Sequence, residues 1–155
     1  MRENDSHDPV RVMQRMFDEG FATGDGAVVD ELCSPELIDH QFGLAGRGAE
    51  AIDHVKAAMA DVHGAFPDVT FTIEDSVTVG AAQGDTVWVR VRGRATNTGP
   101  FFGPPSNRSV DFTVVDIARV VDGRIVEHWG VPDRFALLAQ TGVLDRLAGP
   151  PAPTR

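Results

Sequence analysis

The chain is poor in the residues on which several kinds of chemistry depend. Cys33 is the single cysteine in 155 residues, which excludes an internal disulfide and any metal site built from several thiolates. No base or cation stands near it in sequence, so a buried structural thiol is expected there rather than a nucleophile. Lysine is almost missing, with Lys56 the only one beside a set of arginines. Positive charge is in deficit, 14 Lys and Arg against 23 Asp and Glu for a formal net charge of -9. That balance argues against nucleic acid as a partner, because phosphate contacts need a basic surface, and against an anionic membrane. The first nine residues are polar and lack an apolar core segment, so no signal peptide is expected. No apolar run approaches the length of a membrane span, and a cytoplasmic location is the expectation. No glycine-rich turn joins a strand to a helix, which disfavours a nucleotide-binding crossover. Internal repeats are absent, and no metal site is expected.

What is present suits one domain large enough to bury its own core. Residues 1–148 read as that domain, and the Pro/Ala-rich end, 149–155, as a disordered tail. Val10, Met13, Met16, Phe17 and Phe21 recur at helical spacing, predicting a helix over 8–23 that Asp8 caps and Pro9 begins. A short helix over 27–33, an extended segment over 37–42 and a long helix over 48–65 follow. Alternating residues then predict strands over 69–79, with a bulge near Glu74-Asp75, and over 86–92, 108–121 and 124–131. Asp122-Gly123 is a tight hairpin signal. Helices first and hairpin-connected strands afterwards indicate an α+β fold, with helices on one face of a curved antiparallel sheet.

The closing strand carries the main candidate for chemistry. It runs out at Pro132 and delivers Asp133 just before an apolar helical stretch. Side chains two apart share a face, so Trp129, Val131 and Asp133 are expected together. A carboxylate beside Trp and Val is costly if that face is dry and reasonable if it lines a pocket. Pro132-Asp133 ahead of a helix is equally an N-cap signature. His128 alternates away from Trp129 and is left outside the expected site. Three other positions stay open. Arg90, on the face of Trp88, either meets an acid in a cavity or lies on the outer face. Asp116, interrupting an apolar strand, is either buried and paired or exposed. His40 is either a structural hydrogen-bonding residue or a pocket residue.

The run Gly84-Asp-Thr-Val-Trp-Val-Arg90, the turn Ala95-Thr-Asn-Thr-Gly99-Pro-Phe-Phe-Gly-Pro-Pro105, the hairpin Asp122-Gly-Arg-Ile-Val-Glu-His-Trp129 with Asp133, and Leu137-Leu-Ala-Gln140 together resemble the SnoaL-like polyketide cyclases. The resemblance covers most of the chain. It implies the ketosteroid-isomerase-like, or nuclear transport factor 2-like, cone. It also implies an intramolecular aldol ring closure on a hydrophobic polyketide-like substrate, without a cofactor, in a homodimer or homotetramer. By position Asp133 would be the acid/base. Trp129, His40, Arg90 and Asn97 are the expected substrate-binding residues. Asn97 stands where many members carry His, which removes imidazole chemistry at that point, and Gly130 stands where some carry Asp. Two other functions remain open on this fold. One is epoxide hydrolysis or isomerisation, for which Asp116, Arg90 and Asp133 would have to converge. The other is a non-catalytic small-ligand-binding module.

Overall fold

The computed structural model describes residues 7–149; the expected tail falls almost wholly outside them. Helix α1 (Pro9–Arg15) starts where expected, with Asp8 Oδ1 accepting from the Val10 amide at 3.1 Å, and it widens into a π-helical segment, Met16–Phe21. Helix α2 (Ala27–Leu32) leads into strand β1 (Cys33–Asp39) and the short β2 (Gly46–Arg47). The long helix α3 (Ala49–Ala65) precedes β3 (Thr70–Val79), β4 (Asp85–Thr96), β5 (Ser109–Val121) and β6 (Arg124–Pro132). Helices α4 (Arg134–Gln140) and α5 (Val143–Ala148) close the described chain.

The six strands form one sheet in the order β2-β1-β6-β5-β4-β3. Their pairing is antiparallel except between β1 and β6, which run parallel; the sheet is therefore mixed where an antiparallel one was expected. The helices cover one face. Alternation along β4 buries Val87, Val89 and Val91 beneath them and turns Trp88 and Arg90 to the other side. The β3–β4 register slips between Ile73 and Asp75, at the expected bulge. Asp122 and Gly123 both have positive φ, 50° and 75°, the backbone that a two-residue hairpin turn demands. Among the described residues no helix is long and apolar enough to cross a membrane.

One irregularity decides which side chains of β6 face inward. Val120 pairs with Ile125, but Arg119 pairs with Glu127, so Val126 is an extra residue without a partner. Such a bulge reverses the alternation downstream. Ile125 faces the core, and after the bulge His128, Gly130 and Pro132 do so, each opposite an inward residue of β5: Ala118, Asp116 and Val114.

Candidate active site

The helices and the inner face of the sheet enclose a cavity of about 570 Å³. Its walls are mostly apolar, with Met16 and Phe17 from the first helix, Phe71 and Phe112 from the sheet, and Phe66 and Phe101 beyond α3. Cys33 lines it as well, and burial first, then the nearby charge of Asp39, pushes its thiol up to about 12. It therefore stays protonated and inert near neutral pH, the structural thiol that its sequence context predicts.

Polar groups concentrate on the wall formed by β1, β5 and β6. The parallel register sets Asp39 beside His128, and Asp39 Oδ2 lies 3.0 Å from His128 Nδ1. The other oxygen of Asp39 accepts from the Gln41 amide at 2.8 Å. On its far side His128 presents Nε2 to Asp116 Oδ2 at 3.4 Å. Burial works to lower the imidazole pKa, but hydrogen bonds and charge from Asp116 and Asp39 outweigh it and raise the group to about 10. His128 is thus an imidazolium at neutral pH, held between two buried carboxylates.

Asp116 Oδ1 is buried and has no hydrogen-bond partner among the described residues. Buried carboxylate oxygens are rarely left unmatched, and this one belongs to a residue that lines the cavity. Gly130 makes room for it. A Cβ at Gly130 would stand 2.0 Å from Gln41 Oε1 and 2.7 Å from Asp116 Oδ1, so any larger residue would collide with both. Asp in that position, as in some members of the resembling family, would need a different surrounding.

None of the five side chains expected to catalyse or to bind substrate, Asp133, Trp129, His40, Arg90 and Asn97, lines this cavity. Asp133 is exposed and caps α4, its Oδ1 accepting from the Ala136 amide at 2.9 Å. Of its two readings the structure shows the cap. Asp133→Ala is expected to cost about 1 kcal/mol of stability, as for other N-caps, and to leave turnover within about twofold; a urea titration and an assay on the same sample check both. Trp129 lies on the outer face because the Val126 bulge turned it there, and it stacks on His40 with ring centroids 4.8 Å apart and planes 7° from parallel. His40 Nε2 meets Glu127 Oε1 at 2.8 Å; Arg119 first and His40 second hold that carboxyl below the usual range. Arg90 lies on the outer face in an ion pair with Glu74. Asn97 is fully buried away from the cavity and organises the turn after β4. Its Nδ2 donates to the carbonyls of Ala65 and Gly99, and its Oδ1 accepts from the amide and hydroxyl of Ser106.

The residues that do converge, Asp39, Gln41, Asp116 and His128, were each visible in the sequence. The signal available was Asp116 inside an apolar strand. Once that acid is placed inward, its register partner and the next inward residue on β6 are Gly130 and His128. A SnoaL-like polyketide cyclase model matches residues 11–141. Among solved structures, IdmH of Streptomyces antibioticus, a candidate polyketide cyclase, is 33% identical over 88% of this chain and 99% of its own, with a TM-score of 0.70. AclR of Streptomyces galilaeus, a candidate hydroxylase, is 26% identical over 86% of this chain and 95% of its own, with a TM-score of 0.68. A Catenulispora acidiphila protein with a ketosteroid isomerase-like fold shares that fold at a TM-score of 0.62, 12% identical over 86% of this chain and 91% of its own. No curated protein matches the chain.

Proposed function

Because the chain belongs to the SnoaL-like polyketide cyclase family, we propose that it closes a carbon ring by intramolecular aldol addition, without a cofactor, with Asp116 as the acid/base. The observation that carries this reading is the buried, unpartnered Oδ1 of Asp116 on the cavity wall. That oxygen takes a proton from a carbon flanked by two carbonyls. The resulting enolate carbon attacks a further, more distant carbonyl of the same molecule, a C–C bond forms as that carbonyl's π bond opens, and the new alkoxide recovers the proton from Asp116. His128 does not relay protons, because its carboxylate neighbours keep it charged. Its part is to fix the Asp116 carboxylate and to stabilise negative charge developing beside it. The apolar walls fold the chain and exclude water, which supplies orientation.

Enolisation gives the direct test. An anthracyclinone-type precursor incubated in D2O with the protein is expected to exchange its flanked methylene protons and then close its ring. Exchange no faster than in buffer would overturn the proposal. A second reading is favoured by one feature, two carboxylates on either side of one cation inside a cavity. That arrangement also suits activation of water against an epoxide. The set imagined from sequence for that chemistry, Asp116, Arg90 and Asp133, does not assemble; Asp39, His128 and Asp116 do. Incorporation of label from H2¹⁸O into a diol product would favour it over the cyclase.

We further propose a homodimer built on the outer sheet face. Val77, Val79, Trp88, Val115 and Val131 are exposed there, beside a ladder in which Glu74 pairs with Arg90, and Asp111 with Arg92 and Arg94. A patch of apolar residues edged by both signs of charge can complement its own copy, as a two-fold interface requires. Sedimentation is expected to report twice the 16.7 kDa chain mass, and Val131→Glu to give the monomer. A wild-type monomer at micromolar concentration would reject the interface.

A further inference from the structure

Arg134 is the one arginine or lysine among the described residues lining the cavity. Its place follows from the polar wall. The inward residues of β6 are His128, Gly130 and Pro132, and at about 3.3 Å per residue Pro132 stands about 13 Å from His128 along the strand. Arg134 comes next. The opposing segment keeps step, with Asp39 against His128, Gln41 over Gly130, and Gly43 beside the Arg134 guanidinium, whose Nη2 and Nη1 lie 3.6 and 3.7 Å from where a Gly43 Cβ would be.

The guanidinium is only partly used. Nη2 donates to the Phe42 carbonyl at 3.1 Å, and the group lies 5.9 Å from the Phe42 ring centroid. No carboxylate pairs with it among the described residues, although a guanidinium offers five donors in a planar fork suited to one. His54 reaches the same turn from α3, with Nδ1 3.3 Å from the Leu44 carbonyl. The other charged lining residues are Asp39, Asp61, Asp116 and the imidazolium of His128, which its own carboxylates occupy. Among the described lining residues, Arg134 is therefore the cation whose donors no carboxylate already takes up.

Resting on the reading of this cavity as the substrate site, we propose that Arg134 selects a substrate bearing an acidic group, a carboxylate or acidic phenol, at the end remote from the reacting carbon. The acid docks at the guanidinium between the Phe42 turn and α4, and the apolar body lies inward with its dicarbonyl at Asp116. Arg134 thereby fixes which end of the molecule enters first.

Calorimetric titration with anthraquinone-2-carboxylate and with its methyl ester tests this. The wild-type protein is expected to bind the acid about tenfold more tightly than the ester, the size of one charge-assisted contact. Arg134→Gln should bring the acid down to the level of the ester without changing the ester. Arg134→Lys, which keeps the charge and loses the fork, should recover part of the preference. Raising the salt concentration should erode the preference in the wild type alone. An ester that binds while the acid gains nothing overturns the Arg134 assignment and leaves the cavity reading standing. Equal weakening of both ligands by Arg134→Gln assigns the residue to packing and likewise overturns selection. If neither ligand binds the wild-type protein, the substrate-site reading fails, and this proposal fails with it.

Discussion

Asp116→Asn should lower turnover by about 10²–10⁴-fold, the usual contribution of one placed acid/base group, with the fold retained. Asparagine has the same shape and keeps an oxygen to face His128 Nε2, so the contact at 3.4 Å survives. What it loses is the oxygen able to take up a proton. The D2O exchange experiment separates this from a binding defect, because exchange of the flanked protons should fall with turnover while ligand affinity stays within a few-fold. Asp133→Asn is the control, being a solvent-exposed cap outside the cavity. A protein that keeps full exchange without Asp116 and loses it without Asp133 would return the chemistry to the end of the strand.

The other large effect concerns stability. His128→Leu removes the cation between Asp39 and Asp116 and leaves two buried carboxylates facing an apolar side chain. Breaking a buried ion pair from one side typically costs about 3–5 kcal/mol, enough to unfold a marginal domain. The pH dependence identifies the cause. The imidazole titrates at about 10 in the folded chain against 6.5 ordinarily, so folding favours its protonated form. That stabilisation is fully present below pH 6.5 and is lost as the pH rises through about 10. Urea midpoints measured at pH 6 and pH 9 should therefore diverge in the wild type and converge in His128→Gln, which can still hydrogen-bond but cannot titrate. The same slope in both proteins would remove His128 from the account.

Much of the architecture was legible because it rests on periodicity. The run of inward valines on β4, the α3 stripe and the Asp122-Gly123 turn all follow from local spacing and local backbone demand. The Asp8 cap and the bulge at Glu74-Asp75 were legible for the same reason. The site was much less so. Trp129, Val131 and Asp133 do share a face as far as the strand runs, but which face is inside depends on Val126, and a bulged residue has no distinguishing side chain. His40 and Asn97 follow the same rule in other forms. Asp39 is the last residue of β1 and His40 follows it in the same extended run, so one faces in and the other out. Asn97 is polar and buried, yet its four contacts tie a turn to α3 and leave nothing for a ligand. The parallel docking of β1 on β6, which brings Asp39 to His128, joins residues 89 apart in sequence, and no spacing rule reaches that far.

The unpaired Val126 has a hereditary consequence. A gene that loses this one codon merely closes the gap: Glu127 still meets Arg119, and His128, Gly130 and Pro132 still face inward. A second codon lost just downstream has no spare residue to absorb it, and each later residue then moves one place, so that Trp129, Val131 and Asp133 take the inward positions. Across descendants of one ancestral gene the first deletion is thus nearly silent for the site, while the second exchanges the chemistry of two surfaces and leaves the hairpin itself in place.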